Sequence, residues 1–548
     1  MTALAPNSHK RLNAVRRQYA KTATQQVAII GIGDSRSAYT RFRVQSQISR
    51  LYDAQIASIF VTAEETSSAQ MWKDGFALSP VTLTGVTQTG AFPGDTFAST
   101  GIVNTFPIAL REFWSASGAA GASTGRCFLI YLTHGGQMNS SATDGSTGGN
   151  ARRGSPYGTT KGIDSITVFR ATDTRSVSVW TTMFMEAGQS TDNNNESSIG
   201  ASGNFAPVLS PSGVTISPDT WTLPANTITA GNGVTMRYRF TADPGGGQGF
   251  VLAGVRFRFR NNGYTYYPVA VGGWSTADHL TNPVDGITNT DTKYTDEGIR
   301  EFLRKIATET NIVLRVELGQ NSNASGNPLE EWSGINGGAF GDNIRRILRR
   351  WTNILREPEF ASRSVVVELI PHWYTVGDRP RAVAYRDLLS TVADQFTTDA
   401  IPVALYDQIA ELEARYTATA GVEGLDNSVG LMPANAGDPV HQNYARVLVL
   451  GDSEWDAVYS TTQTVGSFRE PSASMPGSIA FSITPNDSND LAYLTTQIVA
   501  MGAGAIAVTT AEGQNVTLAA VPAGRPVYIR ASRVLSTGTT ATNIVGMT

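Results

Sequence analysis

Two stretches far apart in the chain carry residue types that could perform acyl transfer together. Val27-Ala-Ile-Ile-Gly-Ile-Gly33 runs into Asp34-Ser35, and Asp438-Pro-Val-His441 places an acid and a histidine three residues apart. A serine that cleaves an ester needs a base to take its proton, a carboxylate to hold that base in one tautomer, and donors aimed at the developing oxyanion. Ser35 is the candidate nucleophile. Gly451-Asp452-Ser453, after Leu448-Val-Leu, repeats the strand-turn-serine pattern, but no histidine follows it. It is therefore set aside as a decoy.

The elements that must position these residues follow from apolar patterning. The run before Ser35 reads as a strand buried on both faces, and the Gly-Asp-Ser forces a sharp exit. That leaves the hydroxyl at the carboxyl end of a parallel strand, where open α/β sheets hold their ligands. A second such strand, Tyr267-Pro-Val-Ala-Val, ends in Gly272-Gly273-Trp274 and a Ser275-Thr-Ala-Asp278 cap. A third, over residues 311–318, ends in Gly319-Gln320-Asn321-Ser322, and residues 364–370 and 401–406 read as two more. Helices are predicted over 42–60, 297–306, 343–355 and 382–396; Ile299, Phe302, Leu303 and Ile306 make the apolar stripe of the second. The five strand-helix units predict an α/β fold with a doubly wound parallel sheet.

Residues 76–262 have a different texture, rich in Gly, Ser and Thr, with β-type runs at 127–133, 165–170, 176–185, 235–241 and 250–260. They read as an all-β, sandwich-like insertion that splits the α/β domain into residues 26–75 and 263–453. Residues 454–548 read as a small carboxyl-terminal β domain, with strands expected at 478–483, 505–509, 515–520 and 527–531. Residues 1–25 carry Lys10, Arg11, Arg16, Arg17 and Lys21 with no acid before Asp34, which makes a basic amino-terminal arm.

The totals narrow the function classes. The net charge of −4 favours neither nucleic acid nor an anionic membrane as partner. The single cysteine, Cys127, excludes an internal disulfide framework and a cysteine zinc cluster, and the five histidines show no ligand spacing. No metal or other cofactor is expected. His279 and His372 are expected on the surface or in the core. The first 26 residues lack the apolar region of a signal peptide, and no run of 18 apolar residues occurs. The expectation is synthesis in a cytoplasm without a leader, and no membrane insertion.

In order, Gly33-Asp34-Ser35, Gly273, Gly319-x-Asn321 and Asp438-x-x-His441 resemble the four blocks of the SGNH (GDSL-type) hydrolases, over roughly residues 26–75 and 263–450. The resemblance implies a flavodoxin-like sheet and an esterase. In it Ser35 is the nucleophile, and its N–H joins the N–H of Gly273 and the side-chain amide of Asn321 in the oxyanion hole. His441 is general base and then general acid, oriented by Asp438. Two residues depart from the family pattern: Ser322 stands where Asp is usual, and Arg36 where an apolar residue is commoner. Residues 507–548 are similar to small β domains of tailed-phage and gene-transfer-agent structural proteins. Together the two likenesses imply a carbohydrate O-acetylesterase on a phage-like particle, released by lysis and acting at the bacterial surface. Expected partners are an O-acylated glycan or polysaccharide, virion structural proteins met through the amino-terminal arm or the carboxyl-terminal domain, and further copies of the chain. The alternative is a virion spike or fibre that binds glycan on an SGNH scaffold without turnover.

Overall fold

The structure is a computed structural model. It describes residues 9–38, 44, 56–62, 76–80, 86–91, 93–96, 103–115, 124–132, 164–171, 179–187, 196–198, 203–205, 215–222, 233–241, 249–280, 293–319, 338–372, 379–396, 401–413, 434–435, 438–442, 450–459, 480–491, 494–495, 497–510, 513–527 and 529–547. The chain divides into two compact units, Met1–Lys10 with Arg17–Tyr459, and Arg11–Arg16 with Ser460–Thr548.

The larger unit is built on an 11-stranded sheet. Its parallel part comprises β1 (Gln26–Gly33), β2 (Ile56–Thr62), β3 (Gly263–Ala270), β4 (Asn311–Glu317), β5 (Ser364–Leu369) and β6 (Val403–Leu405), in the spatial order β2-β3-β1-β4-β5-β6. Gly33 at the end of β1 lies in register with Ala270 of β3 on one side and Glu317 of β4 on the other. After β2 the chain returns to β3 on one side of β1 and then crosses to β4 on the other. The carboxyl ends beside β1 therefore form a topological switch point.

Each strand sends alternate side chains to opposite faces. On one face Ala28, Ile30 and Ile32 of β1, Ile312, Leu314 and Val316 of β4, and Val367 and Leu369 of β5 join one core with three helices. These are α2 (Asp296–Lys305), α3 (Gly338–Leu355) and α4 (Arg379–Gln395). The amphipathic stripes of the sequence supply this core: Ile299, Phe302 and Leu303 from α2, and Ile344, Ile347, Leu348 and Trp351 from α3. Thr295 caps α2, accepting from the Gly298 N–H at 3.0 Å. The opposite face carries Arg315, Glu317 and Glu368, which meet Tyr19, from the end of α1 (Leu12–Ala20), and Glu454.

Two expectations are corrected. The central sheet is mixed, because Gly249–Arg258 pairs antiparallel with β2 and continues through Ser165–Ala171 to Ile216–Thr222. Pairing of this kind covers the outer edge of β2, whose open N–H and C=O groups would otherwise recruit other chains. Residues 56–60, expected at the end of a helix, are strand; all seven side chains of Ile56–Thr62 are buried, which suits a two-sided position in a sheet. A separate antiparallel sheet runs Gly203–Phe205, Val179–Ala187, Gly233–Thr241, Thr124–Leu132, Phe76–Pro80.

The amino-terminal segment is engaged with the larger unit's own sheet. Lys10 makes paired backbone hydrogen bonds with Leu405 at the free edge of β6, and its ammonium meets Asp394. Lys21 donates to Asn311 Oδ1 and Ser364 Oγ, each at 3.0 Å. These two basic residues thus close charge and hydrogen-bond needs within the fold.

The smaller unit has two antiparallel sheets around a core of Ile498, Ala500, Ile506, Val508, Val534 and Ile544. Strands Gln497–Gly502 and Thr542–Met547 were not anticipated, and the strand expected over 527–531 is instead Pro526–Val527 and Ala531–Val534. No helix among the described residues is long and apolar enough to cross a membrane.

Candidate functional site

Ser35 begins a short helical turn, Ser35–Ala38, directly beyond β1. Asp34 holds that turn: its carbonyl accepts from Ser37 N at 3.0 Å and Ala38 N at 2.9 Å, and its carboxylate Oδ1 accepts from Arg36 N at 2.9 Å. The turn is buried, with Ser35 at 3% exposure. Burial pushes Asp34 up to about 6, against the pull of the Arg36 guanidinium and with a further push from Glu317. Arg36 is itself buried and acts as the local countercharge.

One strand away, β3 exits through Val271-Gly272-Gly273-Trp274, closed by a Trp274 N to Val271 O hydrogen bond of 3.2 Å. Gly273 has φ +89°, a conformation that side chains oppose, and a Cβ placed on it would face open space. It is exposed, unlike Ser35. Behind it Asp278 Oδ2 accepts from Ser275 N at 2.8 Å and Ser275 Oγ at 3.0 Å, and Asn343 Nδ2 donates to Thr276 Oγ1 at 3.0 Å.

On the other side of β1, the chain leaves β4 through Gly319, with φ +131°. A Cβ there would lie 2.7 Å from Nδ1 of His372, so the glycine lets that buried ring close over the backbone. His372 packs edge-on against Tyr385, ring centroids 5.5 Å apart. It is a core residue at the carboxyl end of β5.

The strand ends thus bring Ser35, Gly273 and Gly319 to adjacent positions on one sheet edge. Asn321 lies outside the described residues. Asp438 and His441 lie on a short strand, Asp438–Gln442, paired antiparallel with Ala434–Asn435. Nothing is described of the side chains of Asp438 and His441. No group of His, Cys, Asp and Glu among the described residues could hold a metal ion.

Two arrangements near the edge were not anticipated. His279, on a 3-10 turn rather than a helix, is fully buried with Nε2 3.0 Å from Gly33 O. Burial pushes it down to about 4, so the ring is neutral at ordinary pH. Beneath the edge, Arg315 pairs with Glu454 through both its terminal nitrogens, and lies 3.3 Å from Glu317 and 3.6 Å from Glu368. Burial works against the Arg315 charge, but the three carboxylates hold its pKa well above the ordinary value. Burial pushes Glu368 up to about 8, despite Arg315 and the 3.1 Å hydrogen bond it accepts from Tyr19. The signal for this cluster was present in the sequence: charges at 315, 317 and 368 inside strands buried on both faces must be paired.

No protein-family model matches the chain, and no curated protein matches it. Among solved structures, it is similar to a peptidoglycan O-acetylesterase at 12% identity, with a TM-score of 0.42, over 84% of this chain and 97% of that one. A carbohydrate esterase family 2 enzyme with its carbohydrate-binding domain, from Corynascus thermopiles (Myceliophthora fergusii), is 10% identical over 54% of this chain and 91% of that one, with a TM-score of 0.21. A capsid chain of a native GTA particle is 37% identical over 13% of this chain and 84% of that one, with a TM-score of 0.13.

Proposed function

We propose that the chain is a serine esterase of SGNH type, a carbohydrate O-acetylesterase acting on bacterial surface polysaccharide and carried on a phage-like particle. One observation carries the reading: Ser35 leaves β1 at the switch point of the sheet, beside the end of β3, where Gly273 turns an exposed backbone toward open space. Without β2 the parallel strands have the order β3-β1-β4-β5-β6, which is the flavodoxin-like order 2-1-3-4-5.

In this reading Ser35 Oγ attacks the acetyl carbonyl carbon while His441, oriented by Asp438, takes its proton. The N–H groups of Ser35 and Gly273 and the amide of Asn321 receive the oxyanion. Collapse breaks the ester bond, and His441 protonates the departing glycan oxygen. Water, activated by the same imidazole, then releases acetate and restores the serine. Virion proteins and further copies of the chain are the proposed structural partners, and the bacterial cell surface is the proposed place of action.

The burial of Ser35 favours a second reading, a spike or fibre that binds glycan without turnover. The two separate on p-nitrophenyl acetate and acetylated glycans, with a serine-directed fluorophosphonate as label. The esterase reading expects turnover and labelling, and Ser35→Ala lowers both by at least ~10³-fold with the fold intact. Turnover and label that survive this change overturn the assignment of Ser35. A folded wild type that does neither on any acetylated glycan leaves the binding reading.

A further inference from the structure

The structure carries a support for Ser35 that resembles none of the four sequence blocks. His279 Nε2 lies 3.0 Å from the carbonyl oxygen of Gly33, two residues before the serine, and Nδ1 lies 3.1 Å from the hydroxyl of Tyr294. A carbonyl oxygen only accepts, so Nε2 carries the proton, and Nδ1 accepts from Tyr294. The tautomer is set from both sides.

The ring is also fixed in place. Trp274, the residue after Gly273, packs edge-on to it with centroids 5.0 Å apart, and stacks on Tyr294 at 6.1 Å and 15°. Arg350 of α3 clamps the same turn: it donates to His279 O at 3.0 Å, to Tyr294 O at 2.6 Å and to Asp296 Oδ1 at 2.7 Å, with its guanidinium 4.4 Å from the Tyr294 ring centroid. Burial, helped by the nearby Arg350 charge, pushes the ring down to about 4 against the pull of the Gly33 carbonyl and Asp278, which keeps it neutral. The neutral ring therefore joins the end of β1, the turn holding Gly273, and α3.

Resting on the serine esterase reading, we propose that His279 is a positioning residue: its Nε2–H holds the Gly33 carbonyl and so aims Ser35 relative to the Gly273 turn. It touches neither substrate nor the reacting atoms. A mere core filler would tolerate any residue of similar shape, whereas this role needs a donor at one ring nitrogen.

The isosteres His279→Gln and His279→Asn test it in the full chain, since the glutamine amide nitrogen replaces Nε2 and the asparagine amide nitrogen replaces Nδ1. We expect Gln to keep kcat within about 3-fold, and Asn to lower kcat and the rate of Ser35 fluorophosphonate labelling by about 30- to 100-fold with KM nearly unchanged. Amide hydrogen exchange at Ser35–Ala38, which needs no turnover, should accelerate in Asn and not in Gln. Melting temperatures establish that both are folded. Equal effects of the two substitutions on labelling and exchange, or wild-type behaviour in Asn, overturn the proposal. A wild type that shows neither turnover nor labelling overturns the esterase reading instead, and the exchange comparison still decides the role of His279 in holding the turn.

Discussion

Gly33-Asp34-Ser35 leaves a strand buried on both faces and turns at once into a short helical turn held by the Asp34 carboxylate and carbonyl, whereas Gly451-Asp452-Ser453 lies within the helical residues 450–459. Both serines are buried, at 3% and 0% exposure, so burial does not distinguish them. Their surroundings do. Ser35 stands at a strand end beside the exits of two neighbouring strands, while Ser453 precedes Glu454, whose carboxylate is committed to Arg315. Leu450, the last residue of the apolar run before Ser453, is already helical, and residues 448–449 lie outside the described residues. Three identical letters acquire their meaning from the element that delivers them.

Substitutions in each copy sharpen the contrast. The largest expected effect, under the proposed esterase reading, is loss of turnover in Ser35→Ala, with no counterpart in Ser453→Ala. Next, Glu454→Ala removes the carboxylate that pairs with both terminal nitrogens of the buried Arg315, and it should cost about 3–5 kcal/mol in urea unfolding. A cost below about 1 kcal/mol would show that the pair is not what holds the second copy.

Asp34→Asn should act in the opposite sense. The folded pKa of Asp34, about 6, lies above the ordinary 3.8, so between these values the folded state binds more protons than the unfolded state, and stability falls as pH rises through that window. Asparagine keeps the acceptor for Arg36 N and removes the ionisation, so it should stabilise the protein by about 2–3 kcal/mol at pH 8 and by almost nothing at pH 3.5. An equal effect at both pH values would refute the buried-carboxylate account. The smallest effect belongs to Ser453→Ala. Its hydroxyl has no hydrogen-bond partner among the described residues, so thermal melting should show no loss, or a gain of up to about 1 kcal/mol.

The parallel strands were legible because strands covered on both faces must be continuously apolar, as β1 and β4 largely are, and the helices α2, α3 and α4 because their stripes recur at helical spacing. β2 is not legible in the same way, because Ile56-Ala-Ser-Ile-Phe also continues a helical spacing that begins at Phe42. Its partner, Gly249–Arg258, lies nearly two hundred residues away, and such pairing leaves no local mark. The same holds for Arg315 and Glu454, 139 residues apart. Near the sheet edge, the turns after β1 and β3 were readable from their Gly-Asp-Ser and Gly-Gly residues. The contact of His279 with Gly33 O was not, since that carbonyl is a backbone group of a distant glycine.

The ladder that runs from β3 through β2 into Gly249–Arg258 has a practical consequence for anyone wishing to shorten the chain. The texture change near residue 76 looks like a natural place to cut, with residues 26–75 and 263–453 rejoined as a minimal α/β domain. Such a trimmed chain would lose the strand seated along β2, whose side chains are all buried. It would present a bare, apolar, hydrogen-bonding rim to solvent, and clumping would follow before any question of catalysis could be asked.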